Sequence, residues 1–376
     1  MITSVRLQKF RGFDDATIPL TRVTMLTGPN GIGKTSALEG LYCLFSETRL
    51  DVAPLCRYDR TVGSSQWKTM TLPEYAHKFT DYEIFWEECL AFDGRSCSVS
   101  AESDDGASRM WTCTISRMSE LDDTLHSEAE RISAANSTSK FAVYSWNLHR
   151  MNGNGEPIEL KMTRAQFLEQ YVNLRVFPNG RDIIPSACCY VDFAAVPMSL
   201  MDLDIAYSRE LAQAIRLIDR RITDVRMTGR RRGISVVIDG SREISLGALG
   251  TGAVAWSGTL TKMFDIVNAH KRDGLASDQS IPVFVLIDEV GAGVYHSAMD
   301  DIWTYFRRFA DEHPHVQFVM TSHSDDCVRA FCNAFSDGGD TASVVTMHRT
   351  YDGEFGVIQL THPYFEEVIS GEWEVR

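Results

Sequence analysis

Eight consecutive residues carry the strongest chemical signal in this sequence: Gly28-Pro29-Asn30-Gly31-Ile32-Gly33-Lys34-Thr35. They spell G-x-x-x-x-G-K-T, the pattern of a loop that turns backbone N–H groups inward around a polyphosphate. The glycines permit close approach of the backbone, and a helix N-terminus directly after the loop adds partial positive charge. In such a loop Lys34 reaches the β- and γ-phosphates, the Thr35 hydroxyl ligates Mg²⁺, and Ser36 extends the binding run into the helix. The pattern has meaning only when the loop leaves a strand and opens a helix. Residues 23–26 read as a strand and residues 36–45 as a helix, so the residues imply a bound nucleoside triphosphate with Mg²⁺.

Residues 283–287, Val-Phe-Val-Leu-Ile, read as a buried strand that ends in Asp288 and Glu289. A strand tip beside a phosphate loop is where Mg²⁺ must be held, so Asp288 is expected to bind the metal directly or through water. Glu289 is expected to face a lytic water as general base. Carboxylates commonly follow strands, and only the upstream loop gives this pair its significance. The next strand, residues 316–321, ends in Thr321-Ser322-His323-Ser324. An imidazole at that tip can hydrogen-bond the γ-phosphate and sense its loss, so His323 joins Lys34 and Glu289 as an expected catalytic group.

These residues need elements to carry them. The opening reads as two strands about a Phe10-Arg11-Gly12-Phe13 turn, then the strand that enters the phosphate loop. Residues 96–100 and 109–115 alternate as in a hairpin, with a further strand near 141–146. Helical periodicity is expected over 201–222, and residues 234–244 read as a hairpin turning at Asp239-Gly240. The last third alternates strand and helix: strand 281–287, helix 297–311, strand 316–321, helix 326–335, strand 343–348. That alternation signals an α/β layer with a parallel sheet.

With 376 residues, 44% hydrophobic and 23% charged, the chain has the make-up of a globular protein with a large core. Its formal charge of −14 argues against a surface uniformly adapted to nucleic acid. A local basic groove is still compatible with that charge. The cluster Arg230-Arg231-Arg232, with Arg220-Arg221 nearby, reads either as a phosphate-backbone contact or as a solvated loop. No apolar run reaches the length of a membrane span, so no membrane partner is expected. The first nine residues alternate like a strand, unlike a signal peptide. Nine scattered cysteines, without a C-x-x-C, fit reduced thiols in a cytoplasmic protein.

In this order, phosphate loop, Asp-Glu and Thr-Ser-His resemble an ATPase of the ATP-binding-cassette (ABC) type. The similarity is to the group holding RecF, the SMC-type proteins and, most closely, the overcoming-lysogenization-defect (OLD) family. The opening Val5-Arg6-Leu7-Gln8-Lys9-Phe10-Arg11-Gly12-Phe13, together with Leu38-Glu39, is similar to that family's start. The segment from Asp288 to His296 is similar to its D-E-x-e-x-x-l-H. The resemblance covers about the first 45 residues and most of the last third. It implies an α/β, ABC-ATPase-type P-loop NTPase with a mixed central sheet, an antiparallel β subdomain and a helical or insertion subdomain. A single domain over 1–376 follows, with an N-terminal lobe 1–50, an insertion of unassigned role at about 51–180 and a C-terminal lobe 181–376.

The same resemblance implies ATP and Mg²⁺ as ligands, and a head-to-tail dimer or higher homo-oligomer. In it the signature segment of one subunit completes the other's site. The candidate segment is Leu249-Gly250-Thr251-Gly252-Ala253, binding through Gly250, Thr251 and Gly252. The family usually has L-S-x-G followed by Glu or Gln. Gly250 replaces the serine and Ala253 the polar residue, so hydrolysis is expected to be slow or ATP to serve as dimer glue. Arg11 falls where relatives place a basic chain near the nucleotide, with a surface arginine as the alternative. Gln66 is the candidate for a glutamine loop. OLD enzymes carry a C-terminal Toprim nuclease, and the stretch after His323 is too short for one. A separately encoded effector, such as a nuclease, is therefore expected, as with the ATPase subunits of anti-phage systems such as Septu and PARIS. The alternatives are a RecF-like DNA-binding repair ATPase and a non-hydrolysing assembly protein.

Overall fold

The computed structural model describes residues 1–45, 96–117, 140–151, 157–163, 187–192, 208–228, 233–272, 283–337 and 339–370. Within them the chain begins β1 (Ile2–Phe10), β2 (Phe13–Pro19), β3 (Val23–Thr27) and α1 (Lys34–Phe45). It continues through β4 (Ser96–Ser103), β5 (Ser108–Arg117), β6 (Lys140–Met151), β7 (Pro157–Thr163) and β8 (Ala187–Asp192). Next come α2 (Ser208–Ile215), β9 (Ile222–Thr228), β10 (Gly233–Ile238), β11 (Arg242–Ser245) and α3 (Thr251–Arg272). The last elements are β12 (Val283–Asp288), α4 (Met299–Glu312), β13 (Val316–Thr321), α5 (Asp325–Phe335), β14 (Ala342–Arg349), β15 (Phe355–Leu360) and α6 (Phe365–Ser370). The chain forms two compact units. One holds Leu20–Leu38 and Ala187–Arg376 with Met1, the other Ile2–Pro19 and Glu39–Ser186.

The first unit is built on a six-stranded sheet in the order β15-β14-β3-β13-β12-β8. Strands β14, β3, β13, β12 and β8 run parallel, and β15 returns antiparallel to β14. Every residue of β3, β12 and β13 is buried, which explains why they are mainly apolar without alternating, with Thr24 and Gln317 as buried polar exceptions. Aromatic side chains fasten helices to this sheet. Phe306 of α4 packs edge-on against Phe318 of β13 at 4.8 Å, and Trp303 meets Phe331 of α5 at 5.1 Å. Burying a side chain of this size stabilises the fold by about 1.5–3 kcal/mol. Ser324 caps α5, its hydroxyl accepting from the Cys327 N–H, and Asp325 and Asp326 occupy the first turn. A three-stranded antiparallel sheet, β11-β10-β9, shares this core with α2 through Leu211, Ile215, Ile222, Val225 and Val236. Trp256 of α3 is buried and donates its indole N–H to Ala214 O at 3.1 Å, joining α3 to α2.

The second unit is a six-stranded antiparallel sheet, β2-β1-β4-β5-β6-β7. Along β1 the buried residues Val5, Leu7 and Phe10 are interspersed with exposed ones, as expected of a sheet with one dry face. Phe10 meets Trp111 edge-on at 6.1 Å. Gly40 lies against the Leu7 side chain, whose Cδ2 would have to shift to admit a Cβ there.

The α/β class, the mixed central sheet and the antiparallel β subdomain are observed as expected. The insertion at about 51–180 is described only in its strands, and Gln66 and Arg230-Arg231-Arg232 lie outside the described residues. Of the helix expected over 201–222, residues 201–207 lie outside the described residues and the remainder is corrected. Helix α2 ends at Ile215, and Ile222 already opens β9. Between them the chain turns through Ile218 N to Ile215 O at 3.0 Å and Ile222 N to Asp219 O at 3.1 Å. The apolar residues Leu217, Ile218 and Ile222 fit a helical period, yet they reach the core from a turn and a strand.

Candidate functional site

The carboxyl ends of three neighbouring strands carry the phosphate loop, Asp288-Glu289 and Thr321-Ser322-His323, all within the first unit. Parallel register sets Leu26 of β3 opposite Thr321 of β13, and Met320 opposite Ile287 of β12. The phosphate loop therefore leaves β3 level with Thr321-Ser322-His323 and with Asp288-Glu289. Ligands of open α/β sheets bind outside the carboxyl ends of the strands for this reason.

Gly28, Gly31 and Gly33 hold the loop open with φ of 129°, 79° and 116°, values that side-chain-bearing residues rarely adopt. At Gly28 a Cβ would collide with the Met347 carbonyl of β14, so the first turn of the loop lies flat on that strand's backbone. Helix α1 starts at Lys34, with Ala37 N donating to Gly33 O at 2.9 Å. Pro29 and Asn30 are exposed and Ile32 is buried. The Lys34 ammonium donates to Gly28 O at 2.6 Å and Pro29 O at 3.0 Å. Burial pushes its pKa below the usual lysine value, with Asp288 and Glu289 acting in the opposite direction.

Asp288 is buried at the end of β12. Its Oδ1 accepts from the Thr35 hydroxyl at 3.2 Å and from the Thr321 hydroxyl at 2.6 Å. Glu289 is exposed and adopts a left-handed φ of 56°. For a residue with a side chain that conformation costs about 1–2 kcal/mol. Its N–H donates to Thr321 Oγ1 at 2.8 Å, and the next N–H, of Val290, donates to Thr321 O at 2.8 Å. His323 is exposed on the link between β13 and α5, and Ser322 is buried with its hydroxyl on Val290 O at 3.2 Å. Lys34, Thr35, Asp288 and Glu289 are thus brought together, with Thr321 at the centre.

Thr35 and Asp288 offer one hydroxyl and one carboxylate oxygen, a hard-oxygen pair suited to Mg²⁺, which commonly takes one or two such groups plus phosphate oxygens. No cluster of three or more His, Cys, Asp or Glu side chains able to hold a metal occurs among the described residues. The Thr35–Asp288 pair suits an ion whose remaining ligands are phosphate oxygens and water.

Residues 250–252 lie elsewhere on the first unit's framework. Gly250 has φ 103° and is exposed, Thr251 opens α3, and Gly252 is buried. A Cβ on Gly252 would collide with Gly293 O and sit 2.8 Å from its carbonyl carbon. Gly293, itself at φ 73°, belongs to the turn that follows Glu289, closed by Ala292 N to Glu289 O and Val294 N to Gly291 O, both 3.1 Å. Backbone thus lies on backbone where α3 begins.

Arg11 belongs to the second unit. It has φ 49° in the β1–β2 turn and forms a buried ion pair with Glu39, Nε to Oε2 at 2.6 Å. Arg220 and Arg221 pair with Asp301 at 3.5 Å and Asp219 at 2.7 Å. Sequence reasoning missed Thr321 and Gly293. The only signal for the first is a hydroxyl residue at a strand tip. For the second it is the close spacing of Gly291 and Gly293 after the carboxylates.

No helix among the described residues is long and apolar enough to cross a membrane. The profile of the family described as AAA ATPase domain matches residues 1–144, less than half of the chain, a segment that includes the phosphate loop. No curated protein matches. A solved structure described as the recombination mediator protein RecF-ATPrS in the RecFOR pathway aligns with 95% of this chain and 98% of its own, at 10% identity and a TM-score of 0.41. A likeness that distant says nothing about activity. The glycine loop on β3, its parallel neighbours and the matched N-terminal segment together describe an α/β P-loop ATPase fold.

Proposed function

We propose that this chain binds ATP with Mg²⁺ and hydrolyses it, and that its ATP-bound form self-associates as a sensor or scaffold for a separately encoded effector. The observation that carries the ATPase reading is the bond from the Thr35 hydroxyl, at the end of the phosphate loop, to the buried Asp288 carboxylate. Two segments far apart in sequence meet there at the point where phosphoryl-transfer chemistry needs an ion.

In this reading the loop N–H groups and Lys34 bind the phosphates, while Thr35 and Asp288 would hold Mg²⁺. Bound there, the ion would neutralise charge on the β- and γ-phosphate oxygens. Glu289 accepts a proton from the water that attacks the γ-phosphorus, and the bond from that phosphorus to the bridging oxygen breaks to leave ADP and phosphate. Exposure of the Glu289 side chain suits contact with water. His323 hydrogen-bonds the γ-phosphate and registers its departure. Gly250, Thr251 and Gly252 contact the nucleotide of a second copy. The anti-phage setting and the effector rest on motif resemblance.

The test is a pair of variants. Lys34→Ala abolishes ATP binding in equilibrium titration. Glu289→Gln binds ATP as wild type does, hydrolyses it at least about 100-fold more slowly and accumulates as an ATP-bound oligomer in size-exclusion chromatography. Hydrolysis by Glu289→Gln at the wild-type rate would remove the general-base assignment.

A further inference from the structure

We propose that Thr321 is a positioning residue for hydrolysis: its single hydroxyl aligns the Asp288 carboxylate and holds the left-handed backbone of Glu289. This rests on the ATPase reading above and adds a residue to it. The direction of both hydrogen bonds follows from chemistry. A backbone N–H can only donate, so Thr321 Oγ1 accepts from Glu289 N at 2.8 Å. An ionised carboxylate can only accept, so the same hydroxyl gives its one proton to Asp288 Oδ1 at 2.6 Å. One side chain thereby connects the expected metal ligand to the backbone of the expected base.

The neighbourhood makes this connection stiff. Thr321 is 1% exposed, on the fully buried strand β13, so its hydroxyl does not exchange partners with solvent. Its carbonyl accepts from Val290 N at 2.8 Å, and the Ser322 hydroxyl donates to Val290 O at 3.2 Å. Residues 289 and 290 are therefore clasped by Thr321, the last residue of β13, and by Ser322 directly after it. The clasp falls where the backbone enters a conformation that a side chain disfavours, with φ 56° at Glu289. Strain of that kind persists only where neighbouring groups over-determine it, and the Thr321 hydroxyl is one of those groups.

Thr321→Val preserves shape and removes the hydroxyl, and Thr321→Ser keeps the hydroxyl. Three readouts are taken on the full chain: ATP affinity in EDTA, steady-state kcat, and amide hydrogen exchange at Glu289. In Thr321→Val, affinity stays within about threefold because the phosphate loop is untouched, while kcat falls about 10- to 100-fold. Exchange at Glu289 accelerates at least about tenfold while the β12 amides of 283–287 stay protected. Thr321→Ser restores both quantities to within about threefold of wild type. A merely structural role would lower thermal stability without separating kcat from affinity. If Thr321→Val does not fold, Thr321→Ala takes its place with the same readouts. Wild-type kcat with unchanged Glu289 exchange overturns the proposal. Wild-type protein that neither binds nor hydrolyses ATP overturns the ATPase reading instead, and exchange at Glu289 then decides alone whether Thr321 holds that peptide.

Discussion

Replacing Gly252 by alanine puts a methyl carbon where the structure has only backbone. The new Cβ would sit 2.8 Å from the Gly293 carbonyl carbon and closer still to its oxygen. Carbon atoms in contact prefer about 3.5–4.0 Å, so one of the two backbones must retreat by roughly 1 Å. Neither can do so by rotating a side chain. Overpacking of this kind costs about 1–3 kcal/mol. At about 2–4 °C per kcal/mol for a unit of this size, the melting temperature falls by about 2–12 °C. The functional effect is selective. The start of α3 separates from the turn after Glu289, whereas Gly28, Lys34 and Asp288 keep their neighbours. Gly252→Ala therefore binds ATP with near-wild-type affinity in equilibrium titration but loses ATP-dependent self-association, read by light scattering with and without nucleotide. A variant that melts and self-associates like wild type would contradict this expectation. It would mean that the contact at Gly293 is slack and does not set the position of residues 250–252.

Burial lowers the pKa of Lys34, and a bound triphosphate favours its charged form. ATP binding is therefore accompanied by proton uptake in the alkaline range below the ordinary lysine value of about 10.4, and affinity falls as pH rises through that range. Calorimetry in two buffers of different ionisation enthalpy measures the uptake, and identical heats would contradict it. Burial pushes the thiols of Cys327 and Cys332 up to about 11 and about 12. Both resist iodoacetamide in the folded protein at about pH 8 and become labelled on unfolding, as peptide mass spectrometry reads, because only the thiolate reacts.

The parts of the site legible in sequence are those whose chemistry forces a local pattern. A phosphate loop needs glycines at set intervals between a strand and a helix, so Gly28, Gly31, Gly33, Lys34 and Thr35 announce themselves. Strands β12 and β13 are buried throughout, so β12 is a continuous apolar run and β13 is broken only by Gln317, each with polar residues at its tip. Thr321 and Gly293 follow no such rule. A threonine at a strand end is ordinary until its register brings it to Asp288, and Gly293 matters because Gly252, far away in the chain, lies on it. The same limit explains the elements that sequence does not signal. Strand β8, Ala-Cys-Cys-Tyr-Val-Asp, shows no clear period and is a strand because β12 pairs with it. Strand β15 is an edge strand with a weakly graded burial pattern. The helix expected over 201–222 fails for the converse reason: apolar spacing suited to a helix also serves a short helix, a turn and a strand facing one core.

The claim on which the account depends is that the phosphate loop and the end of β12 form one magnesium–triphosphate site. Equilibrium titration of ATP against wild type and Asp288→Asn, each with and without Mg²⁺, tests it most directly. Asparagine keeps the size and an accepting oxygen for Thr35 and Thr321 but removes the charge. Mg²⁺ is expected to strengthen ATP binding to wild type at least about tenfold, or about 1.4 kcal/mol, and to Asp288→Asn less than about twofold. Equal strengthening in both proteins would contradict it, because the ion would then be held without Asp288.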